Sequence, residues 1–442
     1  MMEYKDTKSS VYSHIGNIPI HWDETRLKLR YKEVDNRSIT GEEEMLSVSH
    51  ITGITPRSQK NVTMFMAESN MGLKLIQPSD VVVNTMWAWM AAMGVSVYSG
   101  IVSPSYGVYR PIDVETYNPK YLNLLLRIEN YRAEYVKHST GIRASRLRLY
   151  SDKFLGLKFI RPPRDEQDQI VRYLDWKVSQ INKLINAKRR QIELLGEQKR
   201  AVVNEAVTKG GEDWKEVSLG NLGSFRKGFG GSRTDDVEDG VACIRYGDIY
   251  RTGVLSLTAP ITRINRQVAD SYARVYNDEM LFALSGETKE EIGQSLINNT
   301  NEDTWCSGDA AIFSTNKTII PHFLVYALRC PDIIRQKASL AKGDIIVHIS
   351  TSALRRIRVQ VPPVEEQQAI ASQLNKLCTN IDTIVNTLNE EIALFAEYRT
   401  RLISDVVTGR LDVRGVVVPE YGAVAGAENS VEEESVENED EA

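Results

Sequence analysis

The stretch of this chain best supplied for acid–base chemistry is "PPRDEQDQI", Pro162 to Ile170, where carboxylates, two amides and an arginine follow a rigid Pro-Pro. Neighbouring carboxylates of that kind could move protons. A second candidate is Asp278 with Glu287 and Lys289, beyond the apolar run "MLFAL". Two carboxylates and a lysine could hold magnesium and activate water. Glu290 and Glu291 beside them instead favour a solvated charged loop. Other constellations fail on pattern. "GFGG" at Gly228 to Gly231 is not followed by helical periodicity, as a phosphate-cradling loop would be. Neither Pro-Pro has the preceding Asn or Asp and following aromatic with which amino-methyltransferases hold a target amine. The six histidines show no metal-ligand spacing.

The first candidate loses its catalytic appeal because it is written twice: "PPVEEQQAI" occupies Pro362 to Ile370, 200 positions later. Without gaps the match continues through Leu174 and Leu374, Ile181 and Ile381, Asn186 and Asn386, Ile192 and Ile392, to "VT" at Val207 and Val407. This is an internal duplication. Apolar residues recur four then three apart: Leu174, Val178, Ile181, Ile185, Lys188, Ile192, Leu195, and Leu374, Cys378, Ile381, Val385, Leu388, Ile392, Phe395. That spacing predicts a coiled-coil seam, interrupted once at Lys188. Each run begins after Pro-Pro, which suits a helix start, with Glu166 and Glu366 in the first turn where the helix dipole favours negative charge. About 45 residues make roughly 65 Å of helix. Its stripe needs a partner, and an antiparallel pairing of the two copies gives a pseudo-two-fold repeat. Weaker echoes precede each copy: "HWDETRLK" at Trp22 against "DWKEVSLG" at Trp214, and "DVVVN" against "EMLFA".

The remaining features bound the setting. At 442 residues two or more domains are expected. The net charge of −5 conceals an acidic tail, with nine acidic and no basic residues after Arg414, so the body keeps 54 basic against 50 acidic. The tail, 415–442, reads as disordered and solvating. Cys243, Cys306, Cys330 and Cys378 form no CxxC pair, which fits a reducing cytoplasm. The polar "MMEYKDTKSS" is not a signal peptide. Val81 to Tyr109 is uncharged and long enough to span a bilayer, but its Asn, Ser, Thr and Pro residues and the alternation in "GVSVYSGIV" favour strands.

Basic clusters sit just before each Pro-Pro. Lys137 to Arg164 holds eight Lys or Arg against Asp152 alone; Lys337 to Arg358 holds five against Asp344, with His348 beside them. Such clusters suit either a solvated face or a patch that tracks phosphates. Asn84, Trp87 and Trp89 in "NTMWAWM", and Arg245 and Tyr246 in "CIRYGD", are candidate base readers, though the two tryptophans serve a core equally well.

The chain resembles the specificity subunits of type I restriction-modification systems over nearly its whole length apart from the tail. The resemblance rests on "IPIHWDETRLK", "GIVSPSYGVYRP", "STGIRASRLRLYSDKFLGLKFIRPPRDEQDQIVRYLD", "GDIIVHISTSALRRIRVQVPPVEEQQAI" and "VVTGRLDV", in that order. It implies a multidomain α/β (α+β) fold: two target-recognition domains, 1–160 and 211–360, separated by long antiparallel coiled-coil helices, 161–210 and 361–412. It also implies a non-catalytic subunit. Each recognition domain would read half of a bipartite asymmetric site in double-stranded DNA, and the helices would set the spacer. The implied partners are two methyltransferase subunits and two restriction subunits, with AdoMet, ATP and Mg²⁺ belonging to them. The expected DNA-contact set is Asn84, Trp87, Trp89, Lys137, Arg143, Ser145, Arg146, Arg226, Lys227, Arg245, Tyr246, Lys289, Lys342 and His348. Tyr173, Trp176 and Leu184, off the seam and exposed on an isolated helix pair, are expected to meet a methyltransferase subunit. The alternatives are a related bipartite-site methyltransferase or endonuclease subunit, a self-contained DNA-modifying enzyme, and a scaffold that binds no DNA.

Overall fold

A computed structural model describes residues 3–59, 69–141, 147–252 and 254–419. The chain divides into two compact units. Unit 1 takes the described parts of 1–188 and 390–442, and unit 2 takes 189–389. Two long helices, Arg164–Thr208 and Val364–Val407, each contribute one half to each unit.

Unit 1 is built on strands β1 (Asp23–Arg26), β2 (Tyr31–Glu33), β3 (Val81–Val83), β4 (Met93–Val95), β5 (Gly107–Pro111) and β6 (Lys158–Arg161). The order β2–β5–β3–β4 forms an antiparallel sheet, and β1 pairs antiparallel with β6. Helix α1 (Pro119–Leu126) begins at an Asn118 cap whose side chain accepts from the amides of Lys120 and Tyr121. The uncharged stretch from Val81 to Tyr109 is thus divided among short strands, and Val81, Val82 and Val83 are all buried because packing covers both faces of β3. Among the described residues no helix is long and apolar enough to cross a membrane.

Unit 2 repeats this frame with β7 (Lys215–Ser218), β8 (Gly223–Lys227), β9 (Ser256–Leu257), β10 (Met280–Ala283), β11 (Ser285–Gly286), β12 (Ser295–Asn298), β13 (Ala310–Thr315), β14 (Val347–His348) and β15 (Arg358–Val361). The order β8–β13–β10–β12 copies β2–β5–β3–β4, and β9 adds a fifth strand parallel to β12. The pair β7–β15 copies β1–β6. Helix α2 (Pro321–Ala327) stands where α1 stands in unit 1. A second sheet, ordered Thr262–Ile264, Asp236–Ile244, Thr304–Cys306 and Ala273–Val275, has a smaller counterpart in unit 1, where Gly53–Pro56, Leu46–Ser49, Gly100–Val102 and Lys74–Ile76 follow the same order and a parallel Met45–Ile101 bridge joins the two strand pairs.

Inside each unit the two long helices run antiparallel. In unit 1 Lys188 Nζ lies 2.6 Å from Glu391 and Arg399 donates to Asn182 at 2.9 Å, so one number falls as the other rises. In unit 2 Lys199 pairs with Asp382 at 2.6 Å. Leu174, Ile181, Ile185, Leu374, Cys378, Ile381 and Leu388 are buried along the seam, as their spacing requires. The interruption at Lys188 is accommodated: its ammonium is paired with Glu391 and also lies 5.8 Å from the Phe395 ring.

The duplicated phrase has a structural task. Gln167 is fully buried, accepts from the Asn118 amide at 2.7 Å and donates to the carbonyls of Thr116 and Pro162. Gln367, also fully buried, accepts from the Ile320 amide at 2.8 Å and donates to the carbonyls of Thr318 and Pro362. Each glutamine therefore ties a long helix to the start of α1 or α2. The preceding glutamate takes the tryptophan: Trp22 Nε1 donates to Glu166 at 2.6 Å, and Trp214 Nε1 to Glu366 at 3.2 Å. The first knot is deeper. Glu166 also meets Tyr4, His21 at 2.7 Å and Arg414 at 3.5 Å, and the Arg414 guanidinium covers the Tyr4 ring at 4.7 Å. Gly409, at φ +75°, lies so close to Pro19 and Trp22 that any side chain there would strike the Pro19 ring. Glu166→Ala should cost about 2–3 kcal/mol because it strands a buried indole N–H, whereas Glu366→Ala, at an exposed pair, should cost less than about 1 kcal/mol. Urea unfolding of the two variants checks the difference.

Candidate nucleic-acid interface

At one end of the unit 2 sheet, β8 and β10 finish and β13 begins. Backbone hydrogen bonds connect the loops there in sequence: Gly308 N–H to Gly230 O, Leu284 N–H to Asp309 O, and Ile349 N–H to Leu284 O. Strand β11 then pairs with β14, and Lys342 and His348 exchange N–H···O bonds at 2.9 and 2.8 Å to close a hairpin over Gly343 to Val347. His348 Nδ1 is 2.9 Å from Ser285 Oγ. Tyr250 donates to the Ser285 carbonyl at 2.9 Å. Lys227 is exposed at this end, Tyr246 is 37% exposed, and Lys289 lies 3.6 Å from Asp344. Lys227, Tyr246, Lys289, Lys342 and His348 are thus gathered by loops of one sheet end.

Arg245 and Arg226 are engaged by the fold. Arg245 pairs with Asp236 and donates to the carbonyls of Gly231 at 3.2 Å and Ser232 at 2.8 Å, latching the "GFGG" loop. That loop needs its glycines for closeness: a Cβ at Gly228 would lie 2.0 Å from Ser307 O, and one at Gly230, φ +76°, would lie 2.6 Å from Ser271 O. Arg226 makes a two-pronged pair with Glu279 at 2.5 and 2.6 Å and donates to Arg274 O. Burial pushes the Glu279 carboxyl up, but hydrogen bonds from Arg226, Ser314 and the Tyr276 amide outweigh it and hold it low. The basic cluster before the second Pro-Pro is partly internal as well. Lys337 is buried, donates to Gly293 O at 3.2 Å, and is pulled down to about 8 by that burial; Arg358 pairs with Glu216 at 2.9 Å.

Unit 1 builds the same sheet end from different residues. After β3 the chain passes through Asn84, Trp87 and Trp89. Asn84 is buried, donates to Tyr106 at 3.3 Å and accepts from the Met86 amide. The indoles of Trp87 and Trp89 stack at 5.9 Å; Trp89 donates to Met86 O, and Trp87 remains 36% exposed. Thr140 and Arg148 exchange backbone hydrogen bonds at 2.9 Å, the counterpart of the Lys342–His348 closure, and Leu149 N–H binds Thr85 O. Arg143, Ser145 and Arg146 lie outside the described residues. Lys137 stands 3.8 Å from buried Glu134 with its side chain 69% exposed. Arg148, exposed and 3.8 Å from the Met86 sulfur, belongs to this end although it stands outside the expected contact set; its membership of the basic cluster was the available signal. Arg161 and Arg164 from that cluster pair with Asp23, Glu115 and Asp168 and strap the fold instead.

The expected partner-facing residues separate. Tyr173 is 3% exposed, contrary to the expectation for an isolated helix pair, because the first turns of its helix pack into the unit 1 core. Trp176 packs partly against that core, edge-on to Tyr173, while Leu184 is 49% exposed. The catalytic candidate at Asp278 does not assemble, since Asp278 and Glu287 flank opposite ends of β10. Among the described residues no three His, Cys, Asp or Glu side chains group to hold a metal.

Residues 211–394 match the family model described as the type I restriction modification DNA specificity domain. The chain is 25% identical over 327 residues to a putative type I restriction enzyme specificity subunit of Methanocaldococcus jannaschii, covering 67% of this chain and 69% of that one. It is 22% identical over 202 residues to the EcoBI specificity subunit of Escherichia coli, covering 45% and 40%. In fold it is similar to a chain solved for the complex assembly and conformational transition of a type I system, at TM-score 0.69 and 15% identity over 89% of this chain and 99% of that one. It is also similar to the HsdS subunit of Thermoanaerobacter tengcongensis, at TM-score 0.53 and 15% identity over 89% and 98%. With its duplicated frame and long paired helices the chain shares the fold of these two solved chains, and its second half matches the type I restriction modification DNA specificity domain.

Proposed function

We infer that this chain recognises DNA for a type I restriction-modification complex, each unit reading one half of a bipartite site. One observation carries the reading. The same sheet end in both units is finished by a post-strand loop and an exchanged pair of backbone hydrogen bonds, Thr140 with Arg148 and Lys342 with His348, and the two ends carry different side chains on one frame. Strands and buried glutamines hold the frame rigid, while the exposed loops are free to differ, as direct readout of two unlike half-sites demands. The chain supplies recognition rather than chemistry; AdoMet, ATP and Mg²⁺ would be used by methyltransferase and restriction subunits. Mapping methylation in cells that express this chain with its methyltransferase should reveal a two-part site with an unread gap. Seven residues inserted at matching points of both long helices should lengthen the gap and leave both half-sites intact; altered bases in a half-site would remove the spacer role.

Salt dependence separates readers from straps. Arg148→Ala should flatten the slope of log affinity against log salt by roughly one unit, as the loss of a phosphate contact does. Arg245→Ala should leave that slope unchanged and weaken binding by loosening its loop. The measurement is DNA affinity across a salt series.

The long helices supply the docking surface in this reading. Leu184 and Leu394 are exposed on unit 1, and Ile384 and Leu194 are exposed on unit 2, each pair at equivalent positions of the repeat. Two equivalent apolar patches suit two copies of a methyltransferase subunit. Leu184→Asp should remove one copy and Leu184→Asp with Ile384→Asp both, read as the mass of the purified complex.

A further inference from the structure

The unit 2 sheet end exposes three large apolar side chains. Ile345 is 90% exposed and Ile346 59%, both at the tip of the hairpin closed by Lys342 and His348. Phe229 is 57% exposed on the loop latched by Arg245. Both supports are stiff. Gly343, at φ +102°, has a virtual Cβ 2.1 Å from Ile346 O, so the hairpin closes tightly behind its tip. Gly228 and Gly230 are hemmed in by backbone on either side of Phe229. Exposed aliphatic and aromatic side chains on rigid supports lose little conformational entropy on contact.

The surrounding charges nearly cancel: Lys227, Lys289 and Lys342 stand against Glu287, Glu290, Glu291 and Asp344. Such a surface is poorly suited to following phosphates. Apolar atoms have one distinctive target in the major groove, the C5-methyl of thymine. The hairpin occupies the place where unit 1 presents Arg148 beside stacked Trp87 and Trp89, which favours DNA over a protein as its occupant.

We propose that Ile345, Ile346 and Phe229 read thymine methyl groups in the half-site taken by unit 2, so that the two units read DNA by different chemistry. This rests on the DNA-recognition reading above. The test uses the full chain assembled with its methyltransferase and a duplex carrying the mapped site, with the thymines of the unit 2 half-site replaced one at a time by deoxyuridine. At least one replacement should weaken binding roughly fourfold, the worth of one buried methyl. A chain carrying Ile345→Ala, Ile346→Ala and Phe229→Ala should bind the thymine and deoxyuridine duplexes equally while its preference in the other half-site persists. A half-site without thymine, deoxyuridine tolerated everywhere, or a penalty that survives the triple substitution would overturn the proposal. Failure to bind any duplex selectively would instead sink the DNA-recognition reading itself.

A second measurement does not depend on truncating the tip. Cys243, Cys306, Cys330 and Cys378 are all buried, and burial pushes the Cys243 and Cys330 thiols up to about 12, so in Ile345→Cys the introduced thiol is the reactive one. The site duplex should slow its alkylation by maleimide about tenfold. No slowing by the duplex, or equal slowing by the methyltransferase subunits alone, would overturn the proposal.

Discussion

The structure depends on a buried amide. Gln167 and Gln367 lie one turn into the long helices with no exposed surface, and each spends its carbonyl and both N–H groups on backbone from two other segments. A side chain with such demands in a dry place fixes direction as well as position, because any rotation leaves donors and acceptors unsatisfied. The consequence is that a helix of 44 or 45 residues departs from its sheet at a defined angle in each unit. The neighbouring glutamate adds the tryptophan indole, which anchors the β1–β6 or β7–β15 pair to the same point.

That economy explains why repetition was the clearest signal in the chain. Residues that hold the frame together must be kept in type and spacing, so Gln167 and Gln367, and Trp22 and Trp214, stand out at a shift near 200. The helices and their seam were legible for the same reason, down to the lysine that interrupts them. What the glutamate does was legible only in part. A first-turn carboxylate suits a helix dipole, but its reach to an indole more than a hundred residues away is a property of folding.

The interface was less legible because charge type does not reveal partnership. Arg226, Arg245, Arg161, Arg164 and Arg358 all look available in sequence, yet each meets a carboxylate within its own unit. Lys337 sits in a basic run and is buried. Conversely, Ile345 and Ile346 look like core residues in "GDIIVHIS", and only the tight turn at Gly343 puts them outside. Tyr173 shows the same limit on a helix: periodicity places it off the seam, but a globular neighbour covers that face.

The way the units share the chain also bears on its synthesis. Unit 2 is one contiguous stretch, so all of its core has been synthesised once residue 389 has been added. The core of unit 1 includes Leu402, Val406, Val407 and Val413, and its deepest polar knot joins Tyr4 to Arg414. On the ribosome the earlier half must therefore wait, incomplete, while the later one closes. The usual order, in which the N-terminal portion folds first, is reversed here by a strap that arrives last.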